Sequence, residues 1–558
     1  MPPEPRQRYR TLITRALFLA GRLIARPLAL LILLSAAIVA IARTYAHHLA
    51  APPTLGDARR LTLAIYGVLA LAASAWVIRR ANRFLALHTP FGTHPTSQGS
   101  ARWGSTRRLE SPHGFIVGRG GRWHRPLLRY AGDAHLLTLA PTGAGKGVSC
   151  VIPTLLDYPG SMLVIDPKGE NYAVTAAYRR SIGHEIVALD PFGLVGGTGS
   201  FNPMESLDAE DVESIDQAAA LAEMLVVRDP RASADTMFWS EEAKALIAGL
   251  ILLVAESEGM HTMNTLWEIL SVPPRDLTKL WRMMSASKGA GGAIKRAGDR
   301  VLQKADRVRS SVIAEVQSHM HFLESARLAD VMSSSSFTFS DLKTSRTTVY
   351  LIVPPDRLDI CRRWLRLMVA SALDALIRTP GLPAHRVLFL LDEFPALGPM
   401  PPLERAVSLA RGYGGTCWLL AQDLSQVRAL YPVSWSSFIA NAGVVQAFGT
   451  SDLGTATYLS DMIGTTTARV RGTTRSERTG TGALLHGRDA RTSWSESEHA
   501  RPLLSPGEVR QLSPDTTLLL MPGADPIRVA RPDYRHDVEF RHRFAPNPMH
   551  EAVALTRR

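Results

Sequence analysis

A short apolar stretch followed by a glycine-containing loop and a lysine places the strongest constraint on this chain of 558 residues. Leu136–Ala140 has the composition of a buried strand, and the loop that runs on to Gly147 reads Ala-Pro-Thr-Gly-Ala-Gly-Lys-Gly. The apolar stretch Val148–Leu156 then predicts a helix. In such a unit, glycines let backbone N–H groups turn inward, and the helix N-terminus adds a positive dipole. The unit therefore predicts a phosphate-binding loop in an α/β domain, with a tight structural turn as the alternative.

The loop matches a Walker A motif with two departures. Lys146 stands where it is expected to reach the β- and γ-phosphates of a nucleotide, but Ala140 replaces the first glycine. Gly147 occupies the position of the serine or threonine that usually binds Mg²⁺, so Ser149 or a water molecule would supply that ligand. ATP and Mg²⁺ are the expected cofactors. The expected nucleotide-binding residues are Thr142, Gly143, Ala144, Gly145, Lys146, Gly147 and Val148.

A second motif lies about two hundred and fifty residues downstream. The apolar run Val387–Leu391 is followed by Asp392 and Glu393, which is the Walker B pattern. Asp392 is expected to hold the Mg²⁺ shell, and Glu393 to polarise the attacking water. The alternative is that the two acids cap the next helix.

Two further residues complete the predicted hydrolysis site. Gln422 follows the predicted strand Thr416–Ala421, where its side chain would sense the γ-phosphate or position water. Arg411 lies between the Walker B motif and that strand, and an arginine there would stabilise transition-state charge on a neighbouring subunit's nucleotide. A surface salt bridge is the alternative for Arg411, and Arg405 is its rival for the same role.

Apolar runs that alternate with helical stretches predict an α/β fold with a largely parallel sheet that is buried on both faces. Residues 202–340 have a helical pattern without a convincing strand, which predicts an inserted all-α domain between residues 81–201 and 341–558 of the nucleotide-binding domain. Thr465–Glu498 lacks apolar periodicity and is expected to be a long mobile loop. The other predicted strands are Met162–Asp166, Ile186–Asp190, Thr348–Val353, Val444–Gly449, Thr517–Met521 and Pro526–Ala530.

Two apolar runs near the start, Pro27–Ala42 and Leu61–Ile78, predict two transmembrane helices at about 23–42 and 61–78 within an N-terminal region 1–80. More arginines flank the pair than lie between them, so both ends are expected to face the cytoplasm. The chain is then a multi-pass membrane protein with a cytoplasmic main body. A cleaved signal peptide with one anchor, or two buried helices, are the alternatives.

The overall charge favours anionic partners. The chain has 63 lysines and arginines against 50 acidic residues, a net charge of +13, which suits nucleic acid or lipid headgroups. Between Arg79 and Leu128 only Glu110 is acidic, and this segment is expected to be a solvated linker beside anionic membrane lipid, with a nucleic-acid entrance as the alternative. Three distant cysteines exclude a disulfide framework and a thiolate zinc site.

Taken in order, these motifs resemble the type IV coupling proteins of conjugation and type IV secretion, the TraG-like class of membrane-anchored ATPases. The resemblance covers nearly the whole chain, and Gly147 after the lysine is usual in that family. The segments that carry it are Ala140–Leu156, Asp166–Glu170, Phe238-Trp239, Leu391–Phe394, Gly412–Gly414, Ala421–Asp423 and Arg501–Leu504.

The resemblance implies a RecA-like domain, a homo-hexameric ring with ATP sites between subunits, and a reason for Arg411 to act in trans. It also implies ATP-driven transfer of single- or double-stranded DNA with a relaxase, or of effector proteins, to inner-membrane components of a type IV secretion channel. Asp166 and Lys168 are expected near the nucleotide. A coupling protein for effectors only, or a nucleotide-binding membrane scaffold without turnover, remain alternatives. A chromosome-segregation translocase is less favoured, because no winged-helix pattern follows residue 530.

Overall fold

The computed structural model describes residues 96–120, 126–227, 233–259, 261–477 and 490–549. The chain divides into two compact units, one formed by residues 1–100 and 469–499 and the other by residues 101–468 and 500–558. The predicted membrane spans, about 23–42 and 61–78, lie outside the described residues. Among the residues that are described, no helix combines the length and apolar character needed to cross a bilayer.

The second unit is built on one eleven-stranded sheet. Its strands are β1 (Phe115–Arg119), β2 (Leu127–Tyr130), β3 (His135–Leu139), β4 (Met162–Asp166), β5 (Glu185–Leu189), β6 (Thr347–Ile352), β7 (Val387–Leu391), β8 (Gly415–Ala421), β9 (Ala442–Ala447), β12 (Thr516–Leu520) and β13 (Ile527–Ala530); β10 (Thr465–Glu477) and β11 (Ala490–Pro502) form a separate pair. The order across the sheet is β2-β1-β13-β12-β9-β3-β8-β7-β4-β6-β5. The run from β9 to β5 is parallel throughout, whereas β12 is antiparallel to β9.

The predicted α/β fold with a mostly parallel sheet is confirmed, and each of its predicted strands lies within two residues of an observed one. The physical reason is burial on both faces. Every residue of β3, β4, β6, β7 and β8 is buried, so these strands are continuous apolar runs that are recognisable without alternation.

Helices cover both faces of the sheet and fill the segment between β5 and β6. They are α1 (Ile152–Asp157), α2 (Glu170–Ser181), α3 (Glu213–Leu225), α4 (Ala234–Glu256), α5 (Met263–Leu270), α6 (Pro274–Ala286), α7 (Ala293–Leu302), α8 (Asp306–Met320), α9 (Ala326–Val331), α10 (Asp341–Thr344), α11 (Leu358–Arg378), α12 (Pro401–Leu409), α13 (Leu424–Leu430), α14 (Trp435–Ala440), α15 (Leu453–Ile463) and α16 (Pro506–Arg510). No strand occurs among the described residues of 202–340. Within that segment α4 is apolar on nearly all sides, with Leu250 and Val254 fully buried, so it forms the centre around which the other helices pack.

The expectation of a loop at Thr465–Glu498 is wrong. This segment contains most of β10 and β11, which pair as a two-stranded sheet. A ribbon of two strands can form its hydrogen bonds without burying a face, and Val470 on β10 is indeed half exposed. The strands therefore carry no apolar alternation that would have revealed them.

The expectation of a solvated linker between Arg79 and Leu128 is wrong for its described second half. Here β1 joins the sheet by pairing with β13 and β2. Arg119 at the end of β1 is nearly buried, and its guanidinium lies 2.9 Å from Asp537 and 2.8 Å from Glu539. This arginine is neutralised by acids from the far end of the chain and not by lipid headgroups.

Candidate nucleotide-binding and hydrolysis site

The sheet brings the predicted site residues to one edge. β8 lies between β3 and β7, and all three strands are parallel, with Leu139 beside Ala421 and Leu391 beside Leu419. The N–H of Ala140 donates to the carbonyl of Ala421 at 2.9 Å. Because the carboxyl ends of parallel strands meet at one edge, the segments that carry Lys146, Asp392 and Gln422 leave the sheet side by side.

The loop after β3 is shaped by two glycines. The N–H of Ala144 donates to the carbonyl of Pro141 at 3.1 Å, which closes a turn with Gly143 at φ +76°, and Gly145 follows at φ +83°. A Cβ on Gly143 would meet no atom within 4 Å, and one on Gly145 would meet only the Ser149 hydroxyl at 3.9 Å. The N–H groups of both glycines have no partner among the described residues. Unpaired donors beside open space fit the binding of phosphate oxygens.

The helix that follows begins with a π-helical turn, Gly147–Val151, which runs into α1. The Ser149 N–H donates to the Gly145 carbonyl at 3.0 Å, and its hydroxyl stays on the loop side. The Val148 side chain instead packs against the apolar cluster that contains Ile152 and Tyr534. Of the predicted binding residues, Val148 therefore offers only its backbone to a ligand.

Lys146 contacts both Walker B acids. Its Nζ lies 2.7 Å from Asp392 Oδ1 and 3.1 Å from Glu393 Oε2. Burial lowers the pKa of Lys146, but the two carboxylates outweigh it and raise the pKa above its usual value. Burial also raises the pKa of Asp392, against the opposing effect of the lysine charge. Asp392 Oδ1 has no aligned hydrogen bond among the described residues, so its contact with Lys146 is an ion pair that leaves a buried acceptor available to a cation.

Glu393 is held in an unusual conformation. Its φ is +57°, in the left-handed region that costs a non-glycine residue about 1–3 kcal/mol. It precedes the turn Phe394–Leu397 but its side chain does not cap that turn, so the alternative role as a helix cap does not hold for this residue. The Gln422 amide donates instead to Glu393 Oε1 at 2.8 Å. Lysine, acid and glutamine thus form one continuous set of contacts.

The two candidate arginines lie elsewhere in the chain's own fold. Arg411 belongs to the turn before β8, so the length of β8, about 20 Å, separates it from Gln422. Its Nη2 lies 2.8 Å from Asp133 Oδ1, and its side chain is 57% exposed. Arg405 is exposed on α12, where it lines a cavity of about 630 Å³ with residues of α3 and α11. Neither arginine reaches the phosphate loop of its own chain, and a role on a neighbouring subunit stays a prediction.

Asp166 and Lys168 differ in their burial and in their contacts. Asp166 is buried at the end of β4, and its carboxylate accepts the N–H of Tyr172 at 2.8 Å, which stabilises the start of α2. Burial raises the pKa of Asp166 to about 6. Lys168 is exposed and forms no ion pair with a described residue. The structure therefore gives Asp166 a capping role beside the site and gives Lys168 no contact with it.

One residue of the site escaped sequence reasoning. Arg531 directly follows β13, and its Nη1 donates to the Ala144 carbonyl at 2.5 Å. The two residues are 387 positions apart, and no local pattern marks this arginine. Only the antiparallel extension of the sheet beyond β9 brings it to the loop.

The comparisons with known proteins agree with this geometry. The family model for type IV secretory system conjugative DNA transfer matches residues 102–555. The protein VirD4 of Agrobacterium fabrum is 28% identical over 462 residues, which cover 80% of this chain and 67% of the relative. A conjugal transfer protein TraG of Escherichia coli is 30% identical over 411 residues, 70% of this chain and 63% of the relative. The chain thus spans less than two thirds of the length of that second relative.

Solved structures share the fold. The plasmid coupling protein TrwB in complex with the non-hydrolysable ATP analogue ADPNP has a TM-score of 0.58 at 16% identity, covering 79% of this chain and 96% of TrwB. TrwB in complex with ADP and Mg²⁺ has a TM-score of 0.56 at the same identity and coverage. The family model covers most of the chain, and its resemblance to coupling proteins is confirmed. The chain belongs to the type IV secretory system conjugative DNA transfer family.

Proposed function

We propose that this protein is a P-loop ATPase that couples ATP hydrolysis to the delivery of DNA, carried by a relaxase, to a type IV secretion channel in conjugation. The observation that carries the proposal is the unbroken set of contacts from Lys146 through Glu393 to Gln422 at the carboxyl edge of the sheet. Support comes from relatives named for conjugal transfer and from the TrwB folds solved with an ATP analogue and with ADP and Mg²⁺.

Each residue of the site has a task in this proposal. The N–H groups of residues 142–148 that have no partner within the loop, those of Gly143 and Gly145 among them, would hold the phosphates together with Lys146. Asp392 would hold Mg²⁺ together with Ser149 or water. When bound, the nucleotide supplies a γ-phosphoryl group that water can attack. When Lys146 binds the phosphates, it would leave the Glu393 carboxylate, and Gln422 would be the one site residue that still contacts Glu393. Glu393 is then free to take a proton from the attacking water.

A ring of subunits would give Arg411 a role in hydrolysis. Within one chain Arg411 is exposed at the edge of the sheet opposite to the phosphate loop. We propose that the protein forms a homo-hexamer in which this edge meets the nucleotide of a neighbouring subunit. Arg411 would then leave Asp133 and stabilise the charge of the transition state in trans.

We further propose that residues 1–80 anchor the protein in the bacterial inner membrane through two helices, about 23–42 and 61–78, with the main body in the cytoplasm. Residues 81–201 and 341–558 would form the nucleotide-binding domain. The helical segment 202–340 would be a domain that docks the substrate, because it contributes no residue to the hydrolysis site. Channel components of the inner membrane and anionic lipid are the expected neighbours.

The test is ATP turnover by the full-length protein in lipid, with and without single- and double-stranded DNA. We expect turnover that responds to DNA and disappears in Lys146→Ala, whose lysine contacts both acids. Lys279→Ala is the matched control, because Lys279 is 76% exposed and its one ion-pair partner among the described residues is Asp276 on α6. Nucleotide binding without turnover would favour the scaffold, and turnover that ignores DNA would favour the effector-only coupling protein.

A further inference from the structure

Arg531 is fixed from three sides beside the phosphate loop. Its own N–H donates to the Asp515 carbonyl at 3.0 Å, and its Nε donates to the Thr516 carbonyl at 3.1 Å. Both bonds tie it to the start of β12, the strand paired with β13. Its Nη1 then reaches the Ala144 carbonyl. These contacts fix the guanidinium between the hairpin of β12 and β13 and the phosphate loop.

The guanidinium of Arg531 also packs on an aromatic ring. The guanidinium lies over the ring of Phe448 at 3.8 Å from the centroid, a cation–π contact. Phe448 is fully buried, and its N–H donates to the Leu139 carbonyl at 2.9 Å, at the end of the strand that leads into the loop. The arginine is thus supported by the same strand whose loop it contacts.

The contact with Ala144 has a consequence for the loop's donors. In a trans peptide the carbonyl and the next N–H point in opposite directions. Holding the Ala144 carbonyl toward Arg531 therefore turns the Gly145 N–H to the other side. That N–H has no partner among the described residues. Gly145 is at positive φ, where no side chain restricts the peptide, so an outside contact is needed to fix it.

Arg531 has no ion-pair partner among the described residues, although the Asp515 carboxylate acts on its charge from a greater distance. No carboxylate lies within ion-pair distance of it, and its acceptors are backbone carbonyls and a ring. Burial lowers the pKa of Arg531 to about 10, so it is still a cation at neutral pH. A partly buried cation that forms no ion pair with a described residue adds positive potential where the loop is open.

We propose that Arg531 is a positioning residue of the phosphate loop, which holds the Ala144–Gly145 peptide with its N–H directed at the nucleotide phosphates. This inference rests on the proposed function, because it presupposes a nucleotide at the loop. It also makes the hairpin of β12 and β13 part of the nucleotide site.

The test uses the full-length protein and the variant Arg531→Met, which keeps an unbranched apolar stem and removes the donors and the charge. Hydrogen exchange of the nucleotide-free protein is measured for the peptide that covers residues 142–149, and ADP affinity is measured by titration. We expect loop exchange to become about tenfold faster and the ADP dissociation constant to rise about tenfold, since a hydrogen bond to a charged group is lost. Arg528→Met is the matched control, because Arg528 lies exposed on β13, the strand that Arg531 directly follows.

Arg531→Lys serves if the methionine variant unfolds, because it retains the charge but loses the planar fork, and an intermediate affinity is expected. Unchanged loop exchange and ADP affinity in a folded Arg531 variant would overturn the inference while leaving the proposed function intact. Equal changes in the Arg528 control would overturn it too, because the effect would then come from any change at β13 and not from the contact with Ala144. A wild-type protein that binds no ADP would remove the proposed function and this inference together.

Discussion

Replacing Lys146 by methionine should destabilise the protein in a manner that depends on pH. The lysine side chain is 19% exposed, and the two acids that it contacts are 14% and 23% exposed. Removing it leaves two adjacent carboxylates, Asp392 and Glu393, which form no ion pair with another described residue. Breaking a buried ion pair costs about 3–5 kcal/mol. This site is partly hydrated, so the expected loss of stability is about 3 kcal/mol at pH 8.

The sign of the pH dependence follows from Asp392. Burial holds its pKa above the usual value even with the lysine present, so the folded state binds a proton more readily than the unfolded state does. Stability is then lowest above the folded pKa, and it rises as the pH falls through the folded pKa toward the unfolded one. Without Lys146 that pKa moves further upward. The destabilisation of the variant should therefore shrink as the pH is lowered from 8 toward 5.

The assay is urea unfolding of the full-length protein at several pH values. Midpoints are compared between variants whose free energy of unfolding depends equally steeply on urea concentration. Lys146→Met is compared with Asp392→Asn and with the double variant, in which the unpaired charge of Asp392 is absent. We expect the double variant to recover much of the stability lost at pH 8. A loss that does not change with pH, or a double variant no more stable than Lys146→Met, would refute the reasoning.

Three other perturbations test separate parts of the site. Gln422→Met should lower turnover at least tenfold, on the order of one lost catalytic contact, with little change in nucleotide affinity, because its amide contacts Glu393 alone among the site residues. Arg411→Ala should abolish turnover, and mixing it with Lys146→Ala should restore part of it, since mixed rings contain sites with both residues. Asp166→Asn should reduce the pH dependence of the free energy of unfolding between about pH 4 and 6. In the wild-type protein the folded pKa of Asp166, about 6, lies above the unfolded value, so protonation of Asp166 favours folding in that range.

Each of these has its own control and its own refuting result. Gln426→Met changes a partly buried glutamine on α13 outside the contacts of the site, and equal loss there would show a general effect. Asp133→Ala removes the partner of Arg411 in the free chain and should leave turnover in place. Failure of the mixed sample to recover activity would count against a trans arginine. An unaltered pH profile in Asp166→Asn, measured by urea midpoints, would contradict the assigned pKa.

Local patterns were sufficient for the central sheet and the phosphate loop. The parallel strands are buried on both faces and therefore appear as uninterrupted apolar runs. The loop's glycines and lysine are contiguous, so their chemistry is visible in eight residues. The Walker B acids and Gln422 were predicted for the same reason, because each directly follows such a strand. Their shared edge follows from parallel pairing alone.

Elements without a local apolar signal were missed. β10 and β11 form a two-stranded ribbon, and their sequence was interpreted as a loop. The arginines before β2 were interpreted as a linker, although Arg119 is paired with acids more than four hundred residues away. In both cases the stabilising partner is another strand or a distant carboxylate, which no sequence window contains.

The amino-acid sequence by itself determined the class of fold, the family and the residues that can hold a nucleotide, because these depend on composition and spacing over short segments. Only the tertiary structure decided which of them touch: Lys146 lies against both acids, Arg411 lies at the opposite edge, and Arg531 lies on the loop. The physical reason is the order of strands in the sheet. Strand order is set by the packing of the whole core, and it brings together side chains whose separation along the chain carries no information about their distance in space.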